Sequence, residues 1–356
     1  MRTGKELILA TKEFAVENKL KSWFYTLTTF VLMVACLAGT IWNFHLAAMI
    51  ACSVLSSLLI TRMFVIYHDH QHHSILNKSK PASWLFKLFG IYTLAPNSIW
   101  KRSHDYHHSH NSKLFSASIG SYPIMTKDKF QKASPRERRE YLIIRHAVTI
   151  AFGYLTMFIY GMCIQSFLSS PKRHYDSLIA LVFHVVFLGA LFYFFGWQGV
   201  LLTAVIPFTL TFALGSYLFY AQHNFPGVTF KNNIEWSYDH ASLESSSFMK
   251  MNPVMQWATA NIGFHHVHHL NSRIPFYRLP EAMRKLPELQ KAKITNLSPR
   301  EMARCLKLKV WDPEQNRMLT LKELDKIPNV ARRMTHVEQK EKTIVAQRHE
   351  SPENVY

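Results

Sequence analysis

Five long apolar runs decide what this chain can fold into. Residues 24–44, 46–67, 148–168, 178–197 and 200–221 hold one charged side chain between them, Arg62. Each run has roughly the 20 residues needed to cross a hydrocarbon core, and each is too uniformly apolar for a soluble amphipathic helix. A mean hydropathy of −0.04 hides this, because basic and polar segments lie between and after the runs. The chain is expected to be a polytopic membrane protein.

Charge orients it. Lys+Arg 41 less Asp+Glu 23 gives +18, and positive residues collect in cytosolic loops. Linkers 42–45 and 197–199 carry no Lys or Arg and read as tight outer turns, each joining two antiparallel spans. Lys101, Arg102, Arg136, Arg138, Arg139, Lys172 and Arg173 flank segments expected in the cytosol. Run 148–168 has basic residues on both sides, which suits an interfacial or re-entrant helix with both ends cytosolic. Stretch 84–100, interrupted by Gly90, Pro96 and Asn97, reads as lying on the membrane surface. The first run follows Lys5, Lys12, Lys19 and Lys21 without a small-residue cleavage site, so it reads as a retained span with a cytosolic N-terminus. Arg62, near the end of its run, reads as snorkelling to the cytosolic interface.

The expected architecture is an all-α integral membrane fold. It has four transmembrane helices in two hairpins, interfacial helices and a cytosolic histidine-rich cap. Residues 1–23 form a cytosolic N-terminal segment, 24–295 the membrane domain, and 296–356 a cytosolic tail with helices near 299–308 and 319–326. Cys36, Cys52 and Cys163 lie in apolar runs and Cys305 stands alone in the tail, which makes neither a disulfide framework nor a CxxC metal site.

Of 20 histidines, twelve fall in three short windows. His68-Asp69-His70-Gln71-His72-His73 contains HxxxH. His104-Asp105-Tyr106-His107-His108-Ser109-His110 contains HxxHH, and so does His265-His266-Val267-His268-His269. On a helix, residues at i, i+3 and i+4 share a face, so the windows offer two, three and three imidazoles, each set aimed at one point. Eight ligands exceed the four of a structural zinc. They fit two adjacent five- or six-coordinate metals, and imidazole suits iron. His223, directly after the last run, is placed to supply a ninth nitrogen. Acceptors for the distal ring N–H groups are expected, with Asp69, Asp105, Asp239 and Glu244 as candidates. Asn261, four residues before His265, either joins that histidine's helical face or caps a helix. His184, inside a run, marks an ion path or serves as a neutral packing residue.

The windows carry a resemblance. Trp100-Lys101-Arg102-Ser103-His104 running into Asp105-Tyr106-His107-His108-Ser109, and His265-His266-Val267-His268-His269-Leu270 followed by Ile274-Pro275-Phe276-Tyr277, are similar to the methyl-end (Δ12/ω6-type) branch of the membrane fatty acid desaturases. In that family three histidine boxes hold a diiron centre. The resemblance covers about residues 62–284 and departs from the branch pattern at His70 and His73, where smaller residues are common. The acyl-CoA Δ9 branch spaces its first box HxxxxH, unlike this chain. The resemblance implies ligation of two iron ions by His68, His72, His104, His107, His108, His265, His268 and His269, with His223 outside the boxes. It implies an O2-dependent oxidoreductase that inserts a cis double bond into a membrane lipid acyl chain, in a multi-pass protein with a cytosolic active site. The expected home is a bacterial cytoplasmic membrane rather than the endoplasmic reticulum.

Other readings weigh against this one. Hydroxylation or ketolation of an alkane, carotenoid or sphingoid chain needs the same ligands. A divalent-metal transporter would place its ligands at mid-span, whereas these windows fall at span ends. The chain has no GxGxxG, no cysteine cluster and no HPGG, so electrons are expected from a separate carrier; the resemblance suggests ferredoxin or cytochrome b5. The basic balance suits anionic lipid, and no motif supports nucleic-acid recognition.

Overall fold

The computed structural model describes residues 1–42, 45–114, 122–232 and 234–327. The chain is mainly helical. Helix α1 (Gly4–Ala10) precedes α2 (Lys19–Gly39), whose first turn is capped by the Asn18 side chain accepting from the Lys21 N–H. Helix α3 (Leu46–Gln71) packs between α2 and a later helix, and 67% of its apolar window is buried, against 22% for α2. Thus α3 is the axis of the bundle, while α2 turns most of its surface to lipid. The 43–44 part of the expected outer turn lies outside the described residues.

Residues 84–100 divide as their breakers require. Helix α4 (Lys80–Tyr92) exposes Trp84 and Leu88, and α5 (Asn97–His110) starts after Pro96. Helices α6 (Lys127–Lys132), α7 (Pro135–Ile144) and α8 (Ala147–Ala151) follow. A π-helical stretch, Tyr154–Gln165, then leads into α9 (Ser166–Ser169). Pro135–Ala151 and Tyr154–Ser169 meet at 117°. Gly153 stands at this bend because a Cβ there would come within 2.0 Å of Ser216 Oγ.

Helix α10 (Tyr175–Val200) and α11 (Ile206–Ala221) are joined through a π turn, Leu201–Val205. Gly196, at φ 61, breaks the run where the second outer turn was expected at 197–199. Among the described residues, three helical stretches, Lys19–Gly39, Leu46–Gln71 and Tyr175–Ala221, are long and apolar enough to cross a membrane, or four with the bent pair. The chain is a membrane protein.

The polar cap holds α12 (Tyr238–Glu244), α13 (Pro253–Ala258), α14 (His265–Leu270), α15 (Leu279–Lys285), α16 (Pro299–Lys307) and α17 (Leu321–Leu324). It also holds four short strands absent from the all-α expectation. Strand β1 (Phe248–Lys250) pairs in parallel with β2 (Ile294–Asn296), and β3 (Leu308–Asp312) pairs antiparallel with β4 (Arg317–Thr320). Strands of three to five residues are too short to show a period of two.

One expectation is corrected by buried polar contacts. Arg62 does not snorkel: it is 4% exposed, donates to Thr29 Oγ1 at 3.1 Å and to the Trp257 carbonyl, and lies 4.3 Å over the Trp257 ring. It therefore ties α2, α3 and α13 together. Contacts also cross residue 296: fully buried Arg145 donates to Asn224 Oδ1 (2.5 Å), the Tyr220 hydroxyl (3.2 Å) and the Leu308 carbonyl (3.4 Å). Contacts likewise reach the N-terminal segment. Arg2 pairs with Glu288 at 3.0 Å, Gly4 N–H donates to Asp239 at 2.9 Å, and Glu17 accepts from Leu76 N–H at 2.6 Å. Residues 1–17 thus strap the cap.

Candidate metal centre

Four elements bring nine histidines together. His68 lies in the last turn of α3 and His72 caps that helix; α5 carries His104, His107 and His108; α14 carries His265, His268 and His269; His223 follows α11. The start of α5 is fixed by Asp176 of α10, which accepts from the Ser98 N–H at 3.0 Å and its hydroxyl at 2.5 Å. Trp100, one turn before His104, stacks on that ring at 5.2 Å and 10°.

The nine form two groups rather than one. His68, His72, His104, His108 and His268 make the first, and His107, His223, His265 and His269 the second, with ligand atoms in each group within 4.8 Å of one another. The HxxHH spacing explains the split. In α5 the i and i+4 histidines enter the first group and i+3 enters the second; in α14 the assignment is reversed. The expectation of three imidazoles aimed at one point is therefore corrected, because positions i and i+3 differ by 60° around a helix of about 3.6 residues per turn. The groups touch: the His108 and His269 rings stack at 4.2 Å.

Nitrogen separations show what each group suits. In the first, Nε2 atoms lie 2.7 Å (His68–His104), 3.2 Å (His68–His72), 3.1 Å (His104–His108) and 3.1 Å (His108–His268) apart. In the second they lie 2.9 Å (His223–His265), 3.0 Å (His265–His269) and 3.2 Å (His107–His269) apart. With a metal–nitrogen bond of about 2.1 Å, neighbouring ligands stand about 3.0 Å apart at right angles and about 3.4 Å apart in a tetrahedron. The observed spacing lets the imidazoles of each group share one metal. All nine side chains are buried. Burial and neighbouring imidazoles hold His104, His107, His108, His265, His268 and His269 well below the ordinary histidine range, and burial pushes His223 down to about 4. Neutral rings at pH 7 are what metal ligation needs.

The distal nitrogens are less well served than expected. Asp69 Oδ1 lies 3.3 Å from His68 Nδ1, and its other oxygen accepts from the Phe276 N–H at 2.7 Å. The remaining candidates are spent elsewhere. Asp105, one residue round the helix from His104, faces solvent and pairs with Lys101 at 2.8 Å. Asp239 holds Gly4, Glu244 pairs with Lys293 at 2.7 Å, and Asn261 donates to the Phe276 carbonyl at 3.1 Å. The sequence reading missed the Ser245 carbonyl, 3.0 Å from His223 Nδ1; a backbone acceptor leaves no residue-type signal. His70 and His266 bond to the carbonyls of Ile75 and Leu289, His110 stacks on Tyr106, and His73 is exposed. His184 is bonded to Tyr154 in the bundle, away from both groups.

A cavity of ≈ 50 Å³ reaches both groups from the bundle side. His68, His104 and His265 line it together with Phe64, Phe158 and Phe212.

The fatty acid desaturase family profile matches residues 42–298, a span that includes all nine histidines. Among curated relatives, the "Fatty acid desaturase" of Bacillus subtilis is 29% identical over 280 residues, 78% of this chain and 79% of that protein. The "sn-1 acyl-lipid omega-3 desaturase (ferredoxin)" of Synechocystis is 24% identical over 64% of each chain. The chloroplastic "Omega-6 fatty acid desaturase" of Spinacia oleracea is 23% identical over 64% of this chain and 51% of its own length. The match thus spans between half and two thirds of the latter two proteins.

Proposed function

Because the chain belongs to the fatty acid desaturase family and is an oxidoreductase, we propose that it inserts a cis double bond, Δ12/ω6-like, into a membrane lipid acyl chain. The observation that carries this reading is the apolar cavity ending on histidines of both groups. It would deliver a methylene, rather than a polar group, to a metal pair.

The chemistry supplied by two irons there is dioxygen-driven hydrogen-atom abstraction, which an unactivated methylene requires because no tuned side-chain base reaches such a C–H bond. The balance is closed: the acyl chain loses two hydrogens, a carrier supplies two electrons, two protons are taken up, and dioxygen leaves as two waters. Group one would hold one iron through five imidazoles and group two the other through four. The Ser245 carbonyl accepts from Nδ1–H of His223, which fixes the tautomer with its lone pair on Nε2, and Asp69 Oδ1 lies 3.3 Å from His68 Nδ1. Phe64, Phe158 and Phe212 hold the acyl chain and keep water from it. The Synechocystis relative's name records ferredoxin; a carrier of that class, or cytochrome b5, would meet the active site from the cytosol.

Gas chromatography with mass spectrometry of fatty acid methyl esters, from a bacterial host with and without the chain, tests this. A new diene or shifted monoene is the expected result. An unchanged profile, with iron bound and electrons supplied, would defeat the desaturase assignment, and a hydroxylated lipid would replace it with hydroxylation.

A further inference from the structure

Gly215, inside α11, is a glycine that close packing does not require. A Cβ built on it meets no heavy atom within 4 Å, in contrast to Gly153 at the helix bend. Glycine weakens a helix interior relative to alanine, so an unforced glycine here needs another reason. Gly215 lines the apolar cavity beside Phe158, Phe212 and Leu218. The missing side chain is therefore part of the cavity's open space.

Position gives that space a meaning. Along α11 the cavity wall runs from Gln222, next to His223, back to Thr211, about 16 Å at 1.5 Å per residue. Gly215 lies one turn from the Thr211 end and about 10 Å from Gln222. At the far end the hydroxyls of Thr61 and Thr211 both donate to the Ser57 carbonyl, at 2.8 and 2.9 Å. Their hydrogens are thus spent, and the wall is apolar. A lipid head group cannot be desolvated there, so the methyl end of a chain would lead.

Resting on the desaturase reading above, we propose that Gly215 sets how much acyl chain passes beyond the histidines. With the head group held at the channel mouth, it thereby limits the chain length accepted. A side chain at 215 fills the channel one turn short of its floor.

The test compares the full-length protein with Gly215→Ala and Gly215→Leu on lipids carrying saturated acyl chains of graded length. Product is measured by mass spectrometry, and protection against thermal unfolding by the same lipids is measured on iron-free protein. Gly215→Leu should lower turnover on the longest chain at least tenfold relative to the shortest, and should lose melt protection by the longest chain alone. Gly215→Ala, which favours the helix, should shift both readouts in the same direction by less. Length profiles unchanged in both variants, or a loss equal at every length in Gly215→Ala, would overturn the proposal. Should the wild type form no double bond in any chain, the desaturase reading falls, while the melt series still judges Gly215.

Discussion

Replacing His107 with alanine is expected to abolish double-bond formation, and replacing His72 is expected to do the same, although the two residues belong to different groups. The first change leaves group two with three imidazoles; the second leaves group one with four. On the proposed reading, abstraction of two hydrogens with full reduction of dioxygen needs both metals, so neither group alone would sustain turnover. A loss of about 10³-fold or more corresponds to about 4 kcal/mol of transition-state stabilisation. The double variant should be no worse than either single one, as for residues that act as a unit. His110→Ala is the control: its ring stacks on Tyr106 and lies outside both groups, so turnover should stay within about twofold of wild type. Turnover rates with a saturated acyl lipid check all four variants.

The second large effect concerns stability. Arg145 is fully buried, and its guanidinium donates to Pro123 O, the Tyr220 hydroxyl, Asn224 Oδ1 and Leu308 O. Arg145→Ala strands the buried Asn224 Oδ1 away from water, while the Leu308 carbonyl keeps its bond from the Tyr220 hydroxyl. A buried hydrogen bond to a charged group contributes about 1.5–3 kcal/mol, and an orphaned acceptor adds its desolvation cost. A loss of about 3 kcal/mol or more is expected, read as a lower thermal midpoint in detergent. Because Asn224 follows His223, the second histidine group should loosen with it, and iron should be released at a lower temperature than in the wild type. A midpoint unchanged by the substitution would contradict the role assigned to Arg145.

Much of this was legible before the structure. Helical spacing selected eight of the nine histidines now found in two groups, since i, i+3 and i+4 positions share a side of a helix, and its place directly after the last apolar run selected His223. What spacing could not show was that one side can serve two centres: His107 turns from His104 and His108 toward His223, and that partner comes from a helix more than 100 residues away in sequence. Asp69 adjoins His68 in the chain, and its Oδ1 lies 3.3 Å from His68 Nδ1. Asp105, Asp239, Glu244 and Asn261 were equally plausible by residue type, but each found a nearer partner in Lys101, Gly4, Lys293 or Phe276. The same holds for the fold. Long apolar runs announced the spans, whereas the strap of residues 1–17 and the attachment of the tail through Arg145 depend on single long-range contacts. Arg62 misled because a lone charge near a span end usually snorkels, and here Thr29 and Trp257 satisfy it inside the bundle.

The two-group arrangement is tested most directly by metal analysis of purified, iron-reconstituted protein. The account predicts two irons per chain in the wild type and fewer than two in His107→Ala, with the five histidines of group one still present to hold one. One iron per chain, or a single tetrahedral zinc, in fully folded wild-type protein would contradict it.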